Sequence, residues 1–92
     1  MIDDKFKEWL IKKVKLSSKT ASDASSRCRR IEKIFNINLG NAAKSMNGLE
    51  KVLERLNTES NAYIKPSVKN RYAAKATLVR ATRLYHQFLN SI

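Results

Sequence analysis

Ninety-two residues make one domain with no room for a second independent core, and nineteen Lys and Arg against eight Asp and Glu leave a net charge of +11. Two glycines and one proline are too few for a chain of hairpins, so long helices joined by few turns are expected. Such a positive excess repels itself in a folded chain and points to a polyanionic partner, nucleic acid or an anionic membrane surface; the plainer alternative is a solubilising basic surface. A lone cysteine, Cys28, excludes an intramolecular disulfide and fits a reducing setting. The opening Met1-Ile2-Asp3-Asp4 is acidic where a secretion signal is basic, and no apolar run approaches a membrane span. The expectation is a single soluble, cytoplasmic domain over residues 1–92.

The first element, roughly residues 3–15, carries Ile2, Phe6, Trp9, Leu10 and Val14 on one helical stripe. Asp3 and Asp4 suit the positive end of its dipole, and Lys12, Lys13 and Lys15 the negative end. A second helix, 18–36, follows a Leu16-Ser17-Ser18 turn in which Ser17 or Ser18 can cap it. Ala21, Ala24, Cys28, Ile31 and Phe35 recur at spacings of three and four, which makes Cys28 a small buried side chain rather than a reactive thiol. Residues 36–47 hold four asparagines and Gly40 and read as a connector with at most one helical turn. The third helix, 47–57, is expected to be capped by Asn47 with Glu50 three residues on, and to bury Leu49, Val52, Leu53 and Leu56.

The last helix, 66–91, is expected to open at Pro66, where no backbone N–H is needed. Its apolar stripe drifts: Val68, Tyr72, Ala76 and Val79 mark one face, then Leu78, Ala81, Tyr85, Phe88 and Ile92 another. That drift predicts two halves packed against different neighbours. No acidic residue follows Glu59. The four segments together fit a compact all-α bundle of four helices.

Catalytic chemistry finds few candidates. His86 is the only histidine and is far in sequence from any carboxylate, so a partly exposed helix-face residue outweighs a general base. One Cys and one His make no Cys/His metal site, no carboxylate group has calcium spacing, and no glycine-rich loop can cradle a phosphate. No catalytic residue, metal, cofactor or small-molecule substrate is therefore expected.

Two segments do combine cations with short hydrogen-bonding side chains at a helix start. One is Ser17, Ser18, Lys19, Thr20 and Ser22, with Arg29 and Arg30 further along. The other is Lys65, Ser67, Lys69, Asn70, Arg71 and Lys75. Free N–H groups and the dipole at helix starts favour phosphate oxygens, and flanking Ser, Thr and Lys add contacts that fix register. Lys19, Arg30, Lys69, Arg71 and Lys75 are expected on phosphates, with Thr20, Ser22 and Asn70 as readers of base edges. Buried aromatic stripes argue against a stacking platform for single strands.

The stretches Phe6-Lys7-Glu8-Trp9-Leu10 and Leu16-Ser17-Ser18-Lys19-Thr20 resemble the opening of the core-binding, SAM-like N-terminal domain of tyrosine recombinases and phage integrases. Cys28, Ile31 and Phe35 fall in its later apolar slots. Ser67-Val68-Lys69-Asn70-Arg71 and Leu84-Tyr85-His86-Gln87-Phe88-Leu89 open and close a final helix of the same pattern. Ala24 stands where the family often has an aromatic and Cys28 where it often has leucine, and the family's catalytic domain has no counterpart. The resemblance implies a compact four-helix orthogonal bundle of SAM-like core-binding type, acting in DNA integration or recombination. It implies a double-stranded DNA-binding module whose second and fourth helices face the duplex, either a fragment of a longer recombinase or free-standing. The alternative is a protein-interaction module of phage or mobile-element origin whose basic face meets an acidic partner.

Overall fold

The computed structural model describes residues 4–64, 67 and 69–91, and every regular element among these is helical. In chain order they form α1 (Asp4–Lys12), α2 (Ser18–Phe35), a one-turn α3 (Leu39–Ala42), α4 (Met46–Thr58), a 3₁₀ turn (Ser60–Ala62) and α5 (Arg71–Leu89). Ile2, Asp3, Lys65, Pro66, Val68 and Ile92 lie outside the described residues.

Local chemistry sets most of the boundaries. Ser17 caps α2, its Oγ accepting from the Thr20 N–H at 3.2 Å. Asn36 ends that helix in the left-handed region, and the N–H groups of Asn36 and Ile37 both return to the Glu32 carbonyl. The Glu32 carboxylate also accepts from the Leu39 N–H at 2.9 Å, which secures the start of α3 and its buried Leu39.

The third long helix starts earlier than its sequence implies. Its cap is Ser45, whose Oγ accepts from Gly48 N–H at 3.0 Å, and Asn47 is already inside the first turn. Gly48 is required here because α3 passes close by: a Cβ on Gly48 would sit 2.0 Å from the Ala42 carbonyl oxygen. Helix propensity alone favours alanine over glycine by about 1 kcal/mol. The clash reverses that sign, and Gly48→Ala is expected to lower stability by about 1–3 kcal/mol in a urea melt.

The last helix starts at Arg71 rather than Pro66, with Asn70 as cap, its Oδ1 accepting from Ala73 N–H at 2.9 Å. Nor does its buried stripe drift. Leu78, Ala81, Thr82, Tyr85 and Phe88 are buried, whereas Tyr72 is 78% exposed and Ala76 is exposed. The inward positions of the first turns are taken by Arg71, Ala74 and Lys75, which keep one face inward along the whole helix. Arg71 and Lys75 meet polar partners there, Asn61 and Asn57, so no apolar residue is needed.

α2 and α5 pack on one another and hold the bundle together, α1 lying on both and α4 on α5 with α3 beside it. Phe6, Leu10, Ile31, Leu39 and Leu56 are fully buried, as are Ala21 and Cys28 on α2. Trp9 and Leu53, both expected in the core, pack at its edge. At the α2–α5 crossing the Cys28 thiol donates to the Ala81 carbonyl at 3.4 Å. Burial, reinforced by the nearby Glu32 charge, pushes that thiol up to about 12.

The thiol is therefore expected to stay inert to a thiol-reactive dye until the protein unfolds. A raised pKa in the native state also means that the unfolded chain loses its thiol proton first. Stability from this group is thus present below about pH 9 and is lost as pH rises towards 12. A Cys28→Ala variant is expected to show a shallower loss of stability over that alkaline range.

Candidate nucleic-acid interface

Successive residues on an α-helix are about 100° apart, so the cations of α2 cannot all face one partner. Thr20, Arg27 and Arg30 fall on the flank toward α5 and the 60–64 segment. Ser18, Ser22 and Arg29 fall on the opposite flank, the side of Glu32. The first cluster expected from sequence is therefore divided, and only its Thr20 and Arg30 side meets α5.

On that side α2 and α5 form a groove of about 100 Å³. Ala24 and Ala81 are buried at its base, Leu16 and Leu84 are half-buried, and Thr20, Arg27, Thr77 and Arg80 line its edges. Small alanines at the helix contact let the two backbones approach, which brings an arginine of each helix to the same groove. Arg27 also lines an adjoining depression with Asp23, Ser26 and Arg30, so the polar strip continues along α2. Neither Arg27 nor Arg80 donates to any group of the described residues, whereas most cations chosen from sequence do have internal partners.

Those internal partners are specific. Arg30 Nη2 donates to the Tyr63 carbonyl at 2.7 Å, and Arg71 Nη1 to the next carbonyl, Ile64, at 3.4 Å. Arg71 Nη2 also donates to Asn61 Oδ1 at 2.7 Å, and Lys75 Nζ to Asn57 Oδ1 at 2.8 Å. Both arginines thus hold the 61–64 segment against α2 and α5. Tyr63 closes the same corner, its hydroxyl donating to the Leu56 carbonyl, and burial raises its phenol above the ordinary range while the Arg71 charge opposes that shift. Asn70, expected to read a base edge, is the cap of α5, and Ser17 is the cap of α2.

Lys19, Ser18, Ser67 and Lys69 remain exposed, and Ser22 is half-buried. Lys65 lies outside the described residues. The two helix starts are not brought together. That of α2 lies beside the middle of α5, while that of α5 is tied through Arg71 to the segment that Arg30 holds, more than three turns into α2.

Apolar patterning in the sequence does not mark the outward face of α5. Ala73, Ala76, Thr77, Arg80, Arg83 and Gln87 are all exposed there, with no acidic residue among them. Two alanines and a threonine keep this face low, so a groove wall or a base edge can come close to the helix. Arg, Gln and Thr are side chains that donate to guanine, adenine and phosphate. The available signal was the acid-free run after Glu59 combined with a helical period; the periodicity of apolar residues alone had turned the wrong side of the first turns inward.

At the far end of α5, a ring nitrogen of His86, Nδ1, lies 2.6 Å from the Ala43 carbonyl oxygen, and Asn90 Nδ2 donates to the Lys44 carbonyl at 2.9 Å. A carbonyl can only accept, so the Nδ1 carries the proton, and His86 fastens α5 to the α3–α4 turn. Among the described residues no three of His, Cys, Asp and Glu gather as metal ligands. Among them, too, no helix is long and apolar enough to cross a membrane. Comparison with known protein families, curated proteins and solved structures finds no match for this chain.

Proposed function

We propose that the chain is a non-catalytic, double-stranded DNA-binding module that lays the α2–α5 groove and the outward face of α5 on the duplex. The proposal includes the SAM-like core-binding type of bundle and a role beside a recombinase or integrase, on the resemblance of its opening and closing motifs. The observation that carries it is the placing of Arg27 and Arg80, both without a partner among the described residues, on one groove with Thr20 and Thr77. These guanidiniums, with Arg83, Lys19 and Lys69, have no partner among the described residues and are the cations we assign to phosphates. Thr20 and Thr77 line the same groove, and Gln87 is exposed further along α5.

Fluorescence anisotropy of a labelled duplex across a salt series tests this, beside matched RNA and single-stranded DNA. Duplex binding that falls steeply with salt, as counterion release requires, supports the reading. Absence of duplex binding even at low salt overturns it, and a pull-down for an acidic protein partner then becomes the next experiment.

A further inference from the structure

Seven aromatic side chains occur in the sequence, and six of them are buried or half-buried. Tyr72 alone stands out, 78% exposed on the first turn of α5. It lines a depression of about 210 Å³ with Ser60, Ile64, Arg71 and Lys75. Lys75 Nζ lies 6.0 Å from the ring centroid, and Asn57 holds the amine in that place. Lys69 is exposed just before the helix. The acidic residue nearest in sequence, Glu59, is paired with Arg55 at 2.9 Å, and none follows it.

An exposed ring beside amines has a definite chemical match: a flat π-system carrying a negative charge, as a nucleobase with its phosphate does. Inside an intact duplex both faces of every base are covered, so the ring gains nothing there. An unstacked base offers a free face. Resting on the duplex-binding reading above, we infer that Tyr72 is a stacking platform for one unpaired base of the bound DNA, with Lys69 on its phosphate and the Asn57-held Lys75 amine beside the ring. The module would then prefer duplexes with a frayed, tailed or gapped end over continuous ones.

The test uses the same labelled duplex blunt and with a short single-stranded tail, against wild type, Tyr72→Ala and Tyr72→Trp. The ring is largely in solvent, so circular dichroism of all three should coincide. The tail is expected to strengthen wild-type binding about tenfold, a range set by the stacking of a single base. That gain should vanish in Tyr72→Ala and persist in Tyr72→Trp, with blunt-duplex binding equal in all three. A 2-aminopurine placed as the first unpaired base should be quenched only when an aromatic stands at position 72. A tail that brings no gain, or a gain that survives Tyr72→Ala, overturns the inference while blunt binding still supports the duplex reading. Tyr72-dependent binding of the tailed probe with no blunt binding sinks the duplex reading and keeps the platform. If neither probe binds, both fall.

Discussion

Reversing Arg27 and Arg80 together, R27E with R80E, is expected to weaken duplex binding by about a hundredfold or more and to lower the salt slope by about two units. A charge-assisted hydrogen bond contributes about 1.5–3 kcal/mol. Losing two therefore reaches two decades at 1.4 kcal/mol per decade, before repulsion from the new carboxylates is counted. Each lost phosphate contact removes about one counterion from the linkage. Neither side chain has a partner among the described residues, so thermal stability should change little.

The control is Lys44→Glu with Lys51→Glu, two exposed lysines beside α3 and α4 that alter the net charge equally. If both pairs weaken binding alike, the attraction is diffuse and the groove has no special part in it. Lys69→Glu with Arg71→Glu, a change at two of the cations that the sequence places on phosphates, should behave differently. It removes the guanidinium that holds Asn61 and Ile64, so it is expected to lower the melting temperature.

That contrast shows where the sequence was legible and where it was not. The α2 stripe of Ala21, Ala24, Cys28, Ile31 and Phe35 could be read directly, because it is apolar at helical spacing and a serine stands at its start. The early turns of α5 could not. Their inward positions are Arg71 and Lys75, which are inward only because Asn61 and Asn57 wait on neighbouring elements. A periodicity count therefore turned Tyr72 and Ala76 inward instead. The cap of α4 lies two residues before Asn47 because Ser45, itself a good cap residue, accepts from the Gly48 N–H, at a glycine that tolerates the close pass of Ala42.

The basic surface followed the same logic. Net charge and the acid-free last third were plain, and they pointed to α2 and α5. Which cations face outward depended on tertiary hydrogen bonds, and Arg27 stood unremarked among its basic neighbours. Only the crossing at Ala24 and Ala81 pairs it with Arg80.

Phe6→Ala is expected to have the largest effect on stability, about 3–5 kcal/mol by chemical denaturation. The ring is fully buried, edge-on to Tyr85 at 4.9 Å and tilted against Phe88 at 5.5 Å, while Trp9 meets Phe88 at 5.7 Å. These contacts dock α1 onto the last turns of α5, and α1 has no other way to bury its stripe than against α2 and α5. Truncation removes the transfer energy of the ring and leaves a cavity among rigid aromatics that cannot collapse into it. A domain of this size has on the order of 5–10 kcal/mol in total, so the variant should be partly unfolded at 37 °C. Because no residue of α1 lines the Arg27–Arg80 groove, its loss should reach DNA binding only through the folded fraction. Duplex affinity measured at low temperature, where Phe6→Ala remains folded, should match the wild type. A variant that is folded yet fails to bind would place α1 in the interface and would require the α2–α5 assignment to be redrawn.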